Sequence, residues 1–251
     1  MAQQLVYGLH AVQALLKSSP QQVQELLLLR GRKDQKLQKI VRQAEQNEIV
    51  IRYVDRRTLD EKVGDDGNHQ GAVAVCMGET QVYDEQFLKS LLKKLDEKGE
   101  NAFLLVLDGI TDPHNLGACL RSAEAAGVQA VIAPKDKAAG LTPTARKVAC
   151  GAAEVLPFIT VTNLARTLQM LQQAGVWIYG AAGEAEHDVY QTSLTGSIAI
   201  VMGAEGPGLR RLTRENCDHL IKIPMAGEVS SLNVSVATGV CLFEAVRQRQ
   251  A

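Results

Sequence analysis

Apolar residues recur at helical spacing at Leu9, Val12, Leu15 and Leu16, and the run stops at Ser18-Ser19-Pro20, which predicts a short helix. ELLLL (25–29) reads as a buried strand, Leu37, Ile40, Val41 and Ala44 as a helix, and EIVIRYV (48–54) as a second strand. A polar patch, GDDGNHQ (64–70), separates these from a third strand, AVAVC (72–76). Strands alternating with helices predict a compact α/β module over residues 1–77. The texture then changes to a charge-rich stretch, 78–101, which reads as a linker with a helical portion.

A second pattern opens with AFLLVLDG (102–109), too uniformly apolar for a sheet edge and suited to a central parallel strand. Further strands are predicted at VQAVIA (128–133), VWIYGAA (176–182), SIAIVMG (197–203) and HLIKIPM (219–225). Helices are predicted around Leu116, Leu120 and Ala123, through TPTARKVACGAA, over 163–174, near 208–214, and at the end to about Arg247. Residues 102–251 therefore read as a parallel α/β domain, in which ligands gather where strands end and loops begin.

Composition adds little to this at first. The 251 residues are 46% hydrophobic and 22% charged with a net charge of −1, the balance of an ordinary globular protein. Charge is uneven, however: residues 30–57 hold nine Lys/Arg against four acids, enough to meet phosphates or to form a solvated helix face. The five cysteines show no CxxC or Cys/His metal spacing. Reduced thiols, no basic leader and no apolar run near the ~20 residues that span a bilayer lead to the expectation of a soluble cytoplasmic protein.

Three loops carry the candidate chemistry. In LDGITDPHNLGACLRSAEAAG (107–127), Asp112-Pro113 forces a turn, Asn115 is a natural cap for a helix beginning at Leu116, and Arg121 sits on the flank of its apolar stripe. In IAIVMGAEGPGLRRLT (198–213), Gly203, Gly206 and Gly208 surround Glu205 directly after a strand. Their order, GxxGxG, is neither the dinucleotide fingerprint nor a phosphate loop. In IPMAGEVSSLNVSVATG (223–239), a helix from about Ser231, capped by Ser230 or Ser231, would bury Leu232, Val236, Val240 and Phe243. It leaves Asn233 and Ser235 to be satisfied by another segment or by a ligand.

HNLGACLRSAEAAG, IVMGAEGPGL and IPMAGEVSSLNVSVATG resemble, in order, the three motifs of the SpoU branch of SPOUT RNA ribose 2′-O-methyltransferases. YGLHAVQALL and NHQGAVAV resemble the L30e/L7Ae-like RNA-binding module fused ahead of many members. The resemblance implies a C-terminal α/β trefoil-knot domain that binds S-adenosylmethionine and pairs as a homodimer. The whole chain is similar to members that methylate a guanosine ribose in the peptidyl-transferase region of 23S rRNA, and action before the target is buried in an assembled subunit is expected. Another rRNA or tRNA nucleotide, or a non-catalytic RNA-binding assembly role, stays open at this point.

Carried over position by position, cofactor contacts fall on Gly203, Ile223 and Leu232, with Met202, Ala204, Gly206 and Met225 beside them. The polar set implied at the reacting atoms is Asn115, Arg121, Glu205, Ser231 and Asn233. Arg121 would bind the phosphate next to the target ribose, and Arg30, Lys33, Lys36 and Lys39 would meet RNA on the first domain. His10, His69 and His114 are left out, since turn structure explains the one nearest the motifs.

Overall fold

The computed structural model describes residues 4–32, 34–64, 68–76 and 83–250. Its contacts divide the chain into two units: Met1–Val82 with Cys150–Val155, and Tyr83–Ala149 with Leu156–Ala251.

The first unit runs β1 (Gln4–Tyr7), α1 (Leu9–Ser18), a 3-10 turn (Pro20–Gln22), β2 (Val23–Leu29), α2 (Gln35–Gln46), β3 (Val50–Val54), α3 (Arg56–Val63) and β4 (Ala72–Cys76). The strands form a sheet of order β1-β4-β2-β3 in which only β2 and β3 run parallel. Leu26 and Leu28 point to one face, where Val12, Leu16, Leu37 and Ile40 cover them; Leu27 points to the other, onto Leu59 of α3. Neither β1 nor α3 is visible in the apolar pattern, because β1 is short and α3 buries a single leucine.

The second unit begins with α4 (Glu85–Glu97), inside the stretch expected as a linker. Its charges hide an amphipathic face. Leu88 and Leu95 are buried in the core and Phe87, Leu91 and Leu92 pack against it, and burying each leucine contributes about 2 kcal/mol. The chain continues through β5 (Phe103–Asp108), α5 (Pro113–Ala125), β6 (Ala130–Pro134) and α6 (Pro143–Ala149). The helix expected through TPTARKVACGAA breaks here, since Cys150 and Gly151 both take positive φ, 52° and 95°. The following α7 (Ala152–Val155) packs with α1 in the first unit.

Then come β7 (Phe158–Val161), α8 (Leu164–Gln173), β8 (Trp177–Ala181), β9 (His187–Asp188), β10 (Ile198–Gly203), α9 (Arg211–Glu215), β11 (His219–Lys222) and α10 (Val234–Arg249). Every pairing in this sheet is parallel, and the order is β7-β6-β5-β10-β8-β11-β9. The largely apolar β5 and β10 lie at its centre, buried along almost their whole length. Leu104, Val106, Ala199 and Val201 share a core with α4 and α8, while α5 and α10 pack together, α10 also against β10. α5 meets α6 at Gly117, where a Cβ would lie 2.5 Å from the Ala145 carbonyl oxygen. Among the described residues no helix is long and apolar enough to cross a membrane.

Candidate active site

The three motif loops converge at the C-terminal ends of β5, β10 and β11. α5 begins three residues earlier than expected: Pro113 occupies its first turn and Asp112 is the cap, its carboxylate accepting the His114 N–H at 2.9 Å. Asn115 is therefore not a cap. It stands in the first turn, half-buried, with its amide free to reach across to another loop.

That reach ends on Glu205. Asn115 Nδ2 donates to Glu205 Oε1 at 3.1 Å, Asn233 Nδ2 donates to the same oxygen at 2.5 Å and to Asn115 Oδ1 at 3.0 Å, and the Val234 N–H points to Glu205 at 3.4 Å. A carboxylate can only accept, so it turns both amide nitrogens toward itself and fixes the orientation of the two side chains. Asn233 also caps α10, its Oδ1 accepting the Ser235 N–H at 2.9 Å and the Ser235 hydroxyl at 2.6 Å. The cap is thus Asn233, and neither Ser230 nor Ser231. The same contacts satisfy Asn233 and Ser235, the two polar residues that the sequence left without partners.

The buried stripe of α10 also differs from expectation. Val234, Thr238, Cys241, Leu242 and Ala245 face inward, whereas Leu232, Val236 and Phe243 are 37%, 52% and 49% exposed. The helix carries two apolar stripes, and spacing alone cannot say which one the chain covers. Thr238 ties the inward stripe to α5, with its hydroxyl 3.4 Å from Cys119 Sγ. Burial pushes the Cys119 thiol up to about 11, with the Glu205 charge adding to the rise, so it is no thiolate near neutrality.

Beside the polar cluster lies a cavity of about 960 Å³. Met202, Gly203, Ala204, Glu205, Gly206, Ile223, Met225, Ser231, Leu232 and Asn233 all line it. Gly203 ends β10, and the loop after it doubles back so closely that a Cβ there would overlap the Gly208 carbonyl carbon. Ala204 and Gly208 exchange backbone hydrogen bonds of 3.1 and 2.9 Å across this fold-back. Much of the wall is consequently main chain and small side chains.

Several wall residues escaped the sequence reading. Ala181, Ala182, Asp188 and Lys222 contribute from the ends of β8, β9 and β11, and Glu184 pairs with Arg214 at the same cavity. The Arg214 guanidinium holds the Glu184 carboxyl below the usual carboxylate range. Ala181, Ala182 and Lys222 fall within strands predicted at 176–182 and 219–225, while Glu184, Asp188 and Arg214 carry no local signal. Arg121 is exposed on α5, one helical turn past Gly117 on the same face, and does not line the cavity.

The RNA-facing expectations lie on the first unit. Lys36 lines a separate cavity of about 830 Å³ with His10, Arg32, Arg56 and Asn68. Arg30 donates to the Tyr53 carbonyl at 3.2 Å, Lys39 is exposed on α2, and Lys33 lies outside the described residues. The local positive excess is reduced by ion pairs: Arg32 with Asp34, Arg52 with Glu25 at 3.0 Å and Arg57 with Glu61 at 2.8 Å. His69 is buried between Asp60, 2.9 Å from Nε2, and the Gly71 N–H, 2.9 Å from Nδ1, which gives it a structural task.

Residues 102–243 match the model of the SpoU rRNA Methylase family, and residues 5–81 match that of RNA 2′-O ribose methyltransferase substrate binding. A curated relative from Escherichia coli (strain K12), 23S rRNA (guanosine-2′-O-)-methyltransferase RlmB, is 59% identical over 246 residues, covering 98% of this chain and 99% of its own. The protein of the same name from Pseudomonas putida is 58% identical over 245 residues, covering 98% and 96%. Among solved structures, the SpoU methyltransferase AviRb from Streptomyces viridochromogenes, in complex with the cofactor AdoMet, is similar in fold. It has a TM-score of 0.74 at 24% identity, covering 98% of this chain and 90% of that one.

Proposed function

The chain belongs to the SpoU rRNA methylase family, and from that premise we propose that it transfers a methyl group from S-adenosylmethionine to the ribose 2′-oxygen of a guanosine in the peptidyl-transferase region of 23S rRNA. The observation that carries this reading is the meeting of three distant loops, through Asn115, Glu205 and Asn233, beside one cavity. The relatives add the substrate class, since their names specify a 23S rRNA guanosine. The knotted threading implied by the resemblance is part of the same reading; the insertion of β10 between β5 and β8 supports it.

The donor fits the residues present. Fold-back of the 203–208 loop offers main-chain groups at close range, and Ile223, Met225 and Leu232 supply apolar wall for an adenosine. When bound, it supplies an electrophilic methyl on a sulfonium centre. The chain's work is then alignment and removal of one proton. Asn233 and Ser231 orient the ribose hydroxyl, and Glu205 holds Asn115 and Asn233 in register. Arg121 grips the phosphate next to the ribose in the bidentate geometry that guanidinium favours. A guanidinium stays protonated up to about pH 12 or higher, so it is a poor base. An oxygen of the phosphate it holds is the better acceptor for the 2′-hydroxyl proton. Lys36 and Lys39 on the first unit, with Arg30 and Lys33, add contacts to the RNA backbone.

The second apolar stripe of α10 belongs to a homodimer contact in this reading, with a second copy covering Val236 and Phe243 next to Leu232 of the donor cavity. Replacing Val236 and Phe243 by Asp is expected to shift the protein to monomer in sedimentation equilibrium and to lower methyl transfer. A double variant that sediments as wild type would remove α10 from the interface.

Cytoplasmic action on rRNA before the large subunit closes over the target completes the proposal. The direct test is to incubate the protein with labelled donor and RNA from cells lacking the activity, then map the methylated nucleotide. A single labelled ribose in 23S rRNA is expected. Label in tRNA, or no label, would overturn the substrate or the activity respectively.

A further inference from the structure

β5 ends in a charge that its own surroundings do not explain. Asp108 is fully buried, at the end of a strand that is otherwise apolar throughout. Its Oδ2 accepts the backbone N–H of Arg210 at 2.8 Å, while Oδ1 has no hydrogen-bond partner among the described residues and faces Arg210 Nε at 3.5 Å. A buried carboxylate with one oxygen so poorly served is costly to the folded state.

What it holds is the loop that carries Glu205. In the parallel ladder Gly203, the residue at which this loop leaves β10, pairs with Asp108. Arg210, two residues after the fold-back at Gly208, is bound by the Asp108 side chain. Both feet of the 204–209 loop therefore rest on one residue. The Arg210 guanidinium extends the clasp: it lies over Gly109, where a Cβ would sit 2.9 Å from Nη2, and it donates to the Lys137 carbonyl at 3.2 Å. Gly109 has φ 80°, so the chain turns away at once toward the cap Asp112 and Asn115. Asp108 thus fixes the origin of the Asn115 loop and both ends of the Glu205 loop.

We propose that Asp108, through Arg210, is a positioning residue for methyl transfer, setting the loop from which Glu205 orients Asn115 and Asn233. The inference rests on the reading of Glu205 given under Proposed function. It differs from a merely structural role in one respect: its effect on the rate passes through Glu205.

A double-mutant cycle separates the two. Single-turnover transfer is measured at saturating donor and RNA for Asp108→Ala, Glu205→Gln and the pair. Asp108→Ala is expected to lose about 100-fold, the size of effect that a displacement near 1 Å produces. Asp108→Asn, which keeps an oxygen for the Arg210 N–H, recovers a large part of that loss. With Glu205→Gln already present, Asp108→Ala costs little more. If Asp108→Ala does not fold, Arg210→Ala serves instead: its side chain is partly exposed and its N–H remains for Asp108. The substitution leaves the buried carboxylate without its cation, so the melting temperature falls, but the rate loss measured well below melting should vanish in the Glu205→Gln background. Losses that multiply, or an Asp108→Ala chain that transfers at the wild-type rate, overturn the inference while leaving the function intact. A wild-type chain that transfers no methyl removes the function, and the inference with it.

Discussion

Methyl transfer by a Gly203→Ala variant is expected to fall about 100-fold or more, because a displacement near 1 Å at the reacting atoms is enough for that loss. The added methyl has nowhere to go. It would overlap the Gly208 carbonyl carbon and the Leu209 nitrogen, and neither belongs to a side chain that could rotate away. The fold-back must open, breaking the paired hydrogen bonds between Ala204 and Gly208, at a cost in the range of about 1–3 kcal/mol for overpacking. The rest of the sheet has no such conflict, so the melting temperature should drop by only a few degrees. Calorimetry with donor alone is the sharpest readout, with heat expected to disappear together with activity. Gly140→Ala, with open space around its site, is the control. Normal donor binding by Gly203→Ala would place the donor elsewhere.

Asn233→Ala should be nearly as severe, for a separable reason. The side chain has two tasks: Oδ1 caps α10 through Ser235, and Nδ2 bridges Asn115 and Glu205. Loss of the cap costs stability of about 1 kcal/mol. Loss of the bridge is expected to cost transfer on the order of 100-fold, since it removes the amide proposed to orient the ribose hydroxyl and leaves Asn115 and Glu205 without their link to α10. Asn233→Asp divides the tasks. It keeps an acceptor for the Ser235 N–H but sets a second carboxylate against Glu205, where the native contact is 2.5 Å. Thermal stability near that of the wild type, with transfer as poor as in Asn233→Ala, is the expected result. An Asn233→Asp chain with full activity would show that the bridge is dispensable.

How far the sequence could be read follows the range of the interactions involved. β5 and β10 were legible because a central parallel strand is apolar on both faces, and that texture is local. Ten of the residues that line the cavity are legible through the resemblance of their motifs, whereas Ala181, Ala182, Glu184, Asp188, Arg214 and Lys222 are not. Asn115 reads as a cap because a capping residue type stands just before the apolar run, but the helix starts at Pro113 and the cap is Asp112. Spacing points to the exposed stripe of α10 as readily as to the buried one, since Val236 and Phe243 repeat with the same period as Thr238 and Ala245. The helical portion expected within 78–101 is α4, and what its charges obscure is that its leucines belong to the core rather than to a linker. The clasp between Asp108 and Arg210 joins residues 102 positions apart and leaves no periodicity to detect.

The strand order has a consequence for how the protein is made. Ala102 and Ser197, which meet where β5 and β10 begin, lie 95 positions apart in the chain. During synthesis β5 emerges early, yet the neighbour that seals one of its edges is translated only after β6, β7, β8 and β9. Pairings of such long separation are slow to close, and the open edge stays available to other chains meanwhile. A polypeptide released before Gly203 would therefore lack the middle of its sheet, and should be a substrate for chaperones and proteases rather than a smaller working enzyme.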